Sequence, residues 1–273
     1  MTPPTPPAGE SYTPGHTANA TSFMARRRAA SHAAFLLPHL SPGMRVLDCG
    51  CGPGTISLDL AAVVAPGSFL GIDIGAGQIE QARHVAAERG LVGARFEVAS
   101  VYAIPASDAA FDAALAHALL EHLAHPLDAL REIRRVLRPG AVVAVCSPDW
   151  GGFIVAPDSP ELQAAIGFYR RIQERSGGDT LAGRKLGGLL LEAGFAEVSV
   201  TAQYECYEDR ALIAEYLAQR IERAPELDRA LVQELADPGA VTRHAAALRA
   251  WSEQPGGLFA QAWVAAVGFA PGA

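Results

Sequence analysis

Apolar and polar positions follow two rhythms along this chain. Between residues 44 and 148, short apolar runs of strand length are separated by stretches with helical spacing. The pattern predicts strands near 44–49, 68–73, 95–98, 111–116 and 141–145. Helices are predicted near 54–64, 76–90 and 126–137, the last carrying Leu127, Leu130, Ile133 and Leu137 on one side. Pro126 suits a first helical turn, while Gly90 and the step Arg138-Pro139-Gly140 are stop signals. Strands alternating with helices describe an α/β fold built on a parallel, doubly wound sheet.

Outside this core the regularity changes. A helix is predicted from about Thr17 to Leu40, with Phe23, Ala30, Ala33, Ala34 and Leu37 on one side and Pro38 and Ser41-Pro42-Gly43 ending it. Residues 1–10 are expected as a disordered, proline-rich tail and 11–40 as an N-terminal helical arm or lid. Residues 41–148 form the expected core, 149–193 a loop and helical insertion, and 194–273 a sixth strand, a helical cap and a seventh strand of the same domain. Within these, 149–158 read as a Gly- and Pro-rich loop containing Trp150 and Phe153. A helix at 160–175 and another from Gly177-Gly178 to about Ala193 follow, then a strand at 196–204. Residues 208–254 read as two or three amphipathic helices broken at Pro225 and Pro238, before a last strand from Leu258 to Val267.

Composition adds limits. Half of the 273 residues are hydrophobic and 19% are charged, which supports a large packed core. A formal net charge of −7 argues against a nucleic-acid partner, and the lone basic run Arg26-Arg27-Arg28 is expected as a solvated helix face. Four scattered cysteines give no disulfide framework, and Cys49-x-Cys51 lacks a second pair at zinc spacing, so no metal is expected. Met1–Gly9 has no apolar segment of signal-peptide type, and no apolar stretch is long enough for membrane insertion. A cytoplasmic protein is expected, with a homo-oligomer left open.

The chemistry concentrates where the first two strands end. Gly50-Cys51-Gly52-Pro53-Gly54 follows the first strand, and Gly71-Ile72-Asp73-Ile74 closes the second. Glycines let backbone approach a ligand closely, and an acid at the next strand tip can hold a ribose diol. The spacing reads G-x-G-x-G. A dinucleotide fingerprint would need a third glycine where Thr55 stands, which opposes a nicotinamide oxidoreductase.

These residues resemble class I S-adenosylmethionine-dependent methyltransferases, close to the branch containing quinone-ring C-methyltransferases. Two further blocks carry the resemblance: Leu120-Glu121-His122-Leu123-Ala124-His125-Pro126 running into Leu130–Gly140, and the turn Leu191-Glu192-Ala193-Gly194-Phe195. The resemblance implies a Rossmann-like, seven-stranded, mostly parallel sheet with an antiparallel last strand and a helical cap. It implies S-adenosyl-L-methionine as cofactor, S-adenosyl-L-homocysteine as product and a small-molecule methyl acceptor. Asp48 and Gly50 would anchor the methionine amino group, with the backbone of Cys51, Gly52 and Gly54 close beneath the cofactor. Asp73 would accept the ribose hydroxyls, Ile74 and Val101 would flank adenine, and Gln78 would add a polar contact. Ser100 stands where the family usually has an aspartate toward the adenine amine. His117 would lie beside the methionine moiety.

Methyl transfer from a sulfonium is an in-line displacement, so alignment, exclusion of water and an outlet for a proton are what the protein must supply. Candidate bases at the mouth of the fourth strand are His117, His122 and Glu121, the last expected to cap or pair locally. Tyr12 and His16 are candidates to fold over the cofactor, with Tyr12 a cofactor contact. Trp150 and Phe153 are expected as apolar walls for a hydrophobic or aromatic acceptor, roofed by the helices of 160–190 and 208–254. Methylation at carbon, oxygen or nitrogen is left undecided. The alternative is a non-catalytic or regulatory subunit that binds the same cofactor.

Overall fold

The computed structural model describes residues 23–235, 237 and 239–272. Seven strands form one sheet: β1 (Arg45–Cys49), β2 (Ser68–Asp73), β3 (Ala94–Val98), β4 (Phe111–His117), β5 (Leu137–Ala156), β6 (Ala196–Cys206) and β7 (Leu258–Phe269). Their order is β3-β2-β1-β4-β5-β7-β6. Only β7 runs antiparallel to its neighbours, β5 and β6. Strand order reverses between β1 and β4, so the carboxyl ends of these two strands open a crevice.

Strand side chains alternate between faces, and both faces of this sheet are covered. Leu47, Val143 and Val145 point into one core with α4 (Pro126–Val136) and α6 (Leu186–Glu192). Val46, Val142 and Ala144 point into the opposite core with α1 (Ala29–His32), α2 (Thr55–Val64) and α3 (Ala76–Glu88). Burial on both sides explains why β1 and β4 read as nearly unbroken apolar runs.

A third core lies above the strand ends. It joins α5 (Pro160–Arg175), α7 (Arg210–Glu222), α8 (Ala224–Leu227), α9 (Arg229–Gln233) and α10 (Ala240–Ser252) to Trp150 and Phe259. Side chains cap three of these helices: Ser159, Asp209 and Asp228 accept from the backbone N–H of Leu162, Leu212 and Leu231.

Several expectations need correction. The described part of the predicted 17–40 helix is interrupted: Phe23 and Met24 are helical, and after a turn come the short α1 and a 3-10 turn at Leu37–His39, with Pro38 inside that turn. Residues 149–156 are not a loop but the continuation of β5, paired with β7 as far as Ala156↔Leu258. The register shifts between Asp149 and Ile154, and Gly151 and Gly152 lie in that bulge. A Cβ on Gly151 would stand 2.2 Å from the Arg184 guanidinium, so glycine serves close approach there rather than loop flexibility. Arg184 grips Asp149 with two nitrogens, each at 2.7 Å, and fixes the bulge from the side. The segment before Ala193 is a 3-10 turn at Gly183–Lys185 followed by α6, shorter than predicted. Pro225 opens α8 instead of only interrupting a helix. Tyr12, His16, the 1–10 tail and the break at Pro238 lie outside the described residues.

Candidate active site

The crevice at the ends of β1, β2 and β4 is open to solvent and offers about 1130 Å3 of empty space, open solvent included. Asp48, Gly50, Cys51, Gly52, Asp73, Ile74, Gln78, Ser100, Val101, His117 and His122 all line it. Gly54 does not. It is the N-cap of α2, in the left-handed region at φ 80°, and a Cβ there would stand 2.8 Å from Ala82 Cβ. Its task is to let α2 and α3 approach, one step behind the ligand surface.

The loop after β1 is tied to β2 by backbone and carboxylate together. Gly50 and Cys51 N–H donate to the Ile72 carbonyl at 2.8 and 3.0 Å. Asp73 accepts from Gly52 N–H at 3.0 Å through Oδ2 and from Gly75 N–H at 2.7 Å through Oδ1. The carboxylate lines the crevice at the tip of β2. Ser100 Oγ accepts from Tyr102 N–H at 3.2 Å, leaving its own O–H as a donor.

Asp48 is almost completely buried, and Ser57 Oγ donates to its Oδ2 at 2.5 Å. Burial pushes its carboxyl up to about 7 against that hydrogen bond, with Asp73 adding to the rise. A cation placed beside Asp48 would reverse the shift. A buried carboxyl that gains from an ammonium, a diol acceptor at the next strand tip and apolar Ile74 and Val101 match the parts of S-adenosyl-L-methionine.

A second, partly open chamber of about 550 Å3, open solvent included, lies beneath the helical cap. Its walls are aromatic: Phe23, Trp150, Tyr169, Tyr207, Tyr216 and Trp263. Met24, Arg27, Ala118 and His122 line both spaces and so form the throat between them. Ala118 holds φ 53°, uncommon for a residue with a Cβ, and its N–H is fixed to the Cys146 carbonyl at 2.8 Å. Trp150 is the wall that was expected, and Tyr169 and Tyr216 come from the expected roof helices. Phe153 instead packs behind the wall, stacked on Phe259 at 6.2 Å between centroids.

The candidate bases separate. His117 lines only the crevice, stacked on Trp263 at 5.1 Å with its Nδ1 buried and unbonded. Burial, then Arg27 and His32, hold it well below the usual histidine range. His122 is brought down to about 3 by burial and the charges of Arg220 and Arg27. Both rings are therefore neutral at pH 7 and reluctant to take a proton. Glu121 is the reverse case. It lies on a 3-10 turn at Leu120–His122, is 2% exposed and faces the second chamber. Ser147 Oγ donates to its Oε2 at 2.7 Å, while burial pushes its carboxyl up to about 7. Asp179 N–H and Gln173 Nε2 pin its backbone carbonyl at 2.9 and 3.1 Å. Sequence reasoning gave Glu121 a local pairing role, and only the fold shows that it faces a chamber.

Arg27 is the second correction. It belongs to no solvated helix face: its guanidinium carbon lies 5.3 Å from the Trp263 ring centroid at the throat. Its isolated position in an arginine run gave no signal of this.

Fold and crevice together define a class I S-adenosylmethionine-dependent methyltransferase. A family model described as a methyltransferase domain matches residues 40–175 of the chain. An uncharacterized 37.1 kDa protein encoded in transposon TN4556 of Streptomyces fradiae is 33% identical over 203 residues, 73% of this chain and 58% of that protein. An uncharacterized methyltransferase of Schizosaccharomyces pombe is 27% identical over 238 residues, 83% of this chain and 84% of its own. Thus the chain spans under two thirds of the Streptomyces protein but most of the yeast one. Among solved structures, the [4+2]-cyclase SpnF superposes with a TM-score of 0.56 at 23% identity, covering 91% of this chain and 85% of its own. That likeness concerns the fold alone.

Proposed function

We propose that this chain transfers a methyl group from S-adenosyl-L-methionine to a small aromatic molecule held in the second chamber. One observation carries the reading: the cofactor crevice opens through Met24, Arg27, Ala118 and His122 into a separate, aromatic-walled space. When bound, the cofactor supplies an electrophilic methyl group on a positively charged sulfur. The chain's part is to hold, align and dry the two reactants.

In this reading Asp73 takes the ribose hydroxyls, Ile74 and Val101 flank adenine, and Gln78 and Ser100 add polar contacts. Asp48 and the Gly50–Gly52 backbone hold the methionine end, with His117 beside it as a neutral ring rather than a base. Tyr12 is assigned to the closed cofactor site on the sequence resemblance alone. The protein acts in the cytoplasm on this reading, as its sequence led us to expect.

Purified protein incubated with methyl-labelled cofactor and a panel of small aromatic acceptors, followed by mass spectrometry, tests the proposal. A methylated product is expected. Tight binding of the cofactor without transfer to any acceptor would favour the binding-only alternative, and absence of cofactor binding would remove both.

A further inference from the structure

Besides its aromatic and aliphatic walls, the second chamber is lined by Arg27, Glu121, His122, Gln173 and Gln261, and two of these places call for oxygen on the occupant. Arg27 at the throat and Glu121 in the chamber behind it line one space. No ion pair to Arg27 is present among the described residues, and its charge is felt at Glu121, His122 and Tyr207. Farther along, Gln261 is 3% exposed and donates through Nε2 to the carbonyls of Asp149 and Ala262 at 3.0 and 3.2 Å. Those bonds fix the orientation of the amide and leave Oε1 as a buried acceptor without a partner.

Building on the methyltransferase reading, we propose that the acceptor is an aromatic compound with an acidic hydroxyl, seated so that Glu121 takes its proton while Arg27 holds the oxygen. The acceptor O–H bond breaks and its proton goes to a Glu121 carboxylate oxygen. The freed oxygen lone pair forms the new O–CH3 bond, and the S–CH3 electron pair leaves with sulfur, which becomes a neutral thioether. A second hydroxyl on the ring, reaching Gln261 Oε1, fixes which oxygen meets the throat.

Three features support this assignment. The aromatic walls match a planar ring in shape and polarity. A cation at the throat stabilises negative charge on the attacking atom where water is excluded. Glu121 has no arginine or lysine ion pair among the described residues. Its only carboxylate–base approach is His122 Nε2 at 3.7 Å, and that ring is neutral. The titratable and charged groups around it are Arg27 from the N-terminal segment, His122 on its own turn, Cys146 of β5 and Tyr207 after β6. A base that ionises near the working pH is suited to this proton.

The test separates this inference from the reading beneath it. Calorimetry first measures S-adenosyl-L-homocysteine binding to the full chain; no binding would refute the methyltransferase reading itself. With that product bound, 1-naphthol is compared with naphthalene. We expect the naphthol to bind about tenfold tighter or more, the scale of one charge-assisted hydrogen bond, and Arg27→Met to erase the advantage. Equal affinities, or no naphthol binding, would overturn the inference. In turnover, Glu121→Gln should lower kcat at pH 7 by about 100-fold with S-adenosyl-L-homocysteine affinity within about twofold, and Glu121→Asp should recover part of the rate. Unchanged kcat in Glu121→Gln, or a methyl group found on ring carbon, would equally overturn it.

Discussion

Apart from Met24 and Arg27, the cofactor crevice is walled by four short stretches of chain, within 48–56, 72–78, 99–102 and 117–123. The chamber beside it draws two or three residues from each of six places, spread from Phe23 to Trp263. The first is made mainly of turns whose backbone conformation is encoded locally, so its parts lie a few residues apart in order. The second is made of side chains that meet only after the cap has packed. A binding surface of the first kind can be read from spacing; one of the second kind has no spacing to read.

Substitutions sharpen that contrast, and the largest effect falls on the cap. Trp150 is buried among Tyr169, Phe153 and Phe259. Trp150→Ala should cost roughly 3–5 kcal/mol of stability in urea titration, whereas Trp150→Phe should keep the fold and mainly raise the acceptor KM. Equal loss of cofactor and acceptor binding in Trp150→Phe would mean the two spaces are not separate. On the crevice side, Asp73→Ala should weaken cofactor binding by about 1–3 kcal/mol in calorimetry and leave acceptor affinity alone. Unchanged cofactor affinity would remove Asp73 from the site.

Asp48 offers a test by pH. Its folded-state carboxyl ionises near 7, above the ordinary value, so the native state holds an extra proton between that value and 7. Stability therefore falls as pH rises through this window. Asp48→Asn should raise Tm by roughly 2–4 °C at pH 8, with the gain shrinking toward pH 4, while cofactor affinity drops. A gain independent of pH would contradict the burial argument. The smallest effect belongs to His117. Because its ring stays neutral, His117→Asn should leave the pH–rate profile between pH 6 and 9 in place, and loss of one limb of that profile would restore it as a base.

The sheet was legible for a physical reason: strands buried on both faces must be apolar, and the helices between them must be amphipathic. The crevice was legible because Asp48, Gly50, Gly52 and Asp73 act through backbone shape and strand ends. Trp150 was found through its place after the predicted 141–145 strand, but its own part of β5 was not, since two glycines in ten residues resemble a loop. What they permit is a bulge against Arg184 and Ala262. Arg27 was misjudged because its environment is set by long-range packing, and the burial of Glu121 was not legible because a buried carboxylate looks like a surface one in sequence.

Strands β5, β7 and β6 continue past the end of β4, from Cys146↔Ala265 and Thr201↔Ala265 to Ala156↔Leu258. This extension carries Trp150, Gln261 and Trp263 into the aromatic chamber, and none of its β5 or β7 residues lines the cofactor crevice. Lengthening or trimming it would therefore alter how large an acceptor fits without moving the residues of the proposed donor site. Selection for new acceptors therefore has a dial that leaves donor recognition in place.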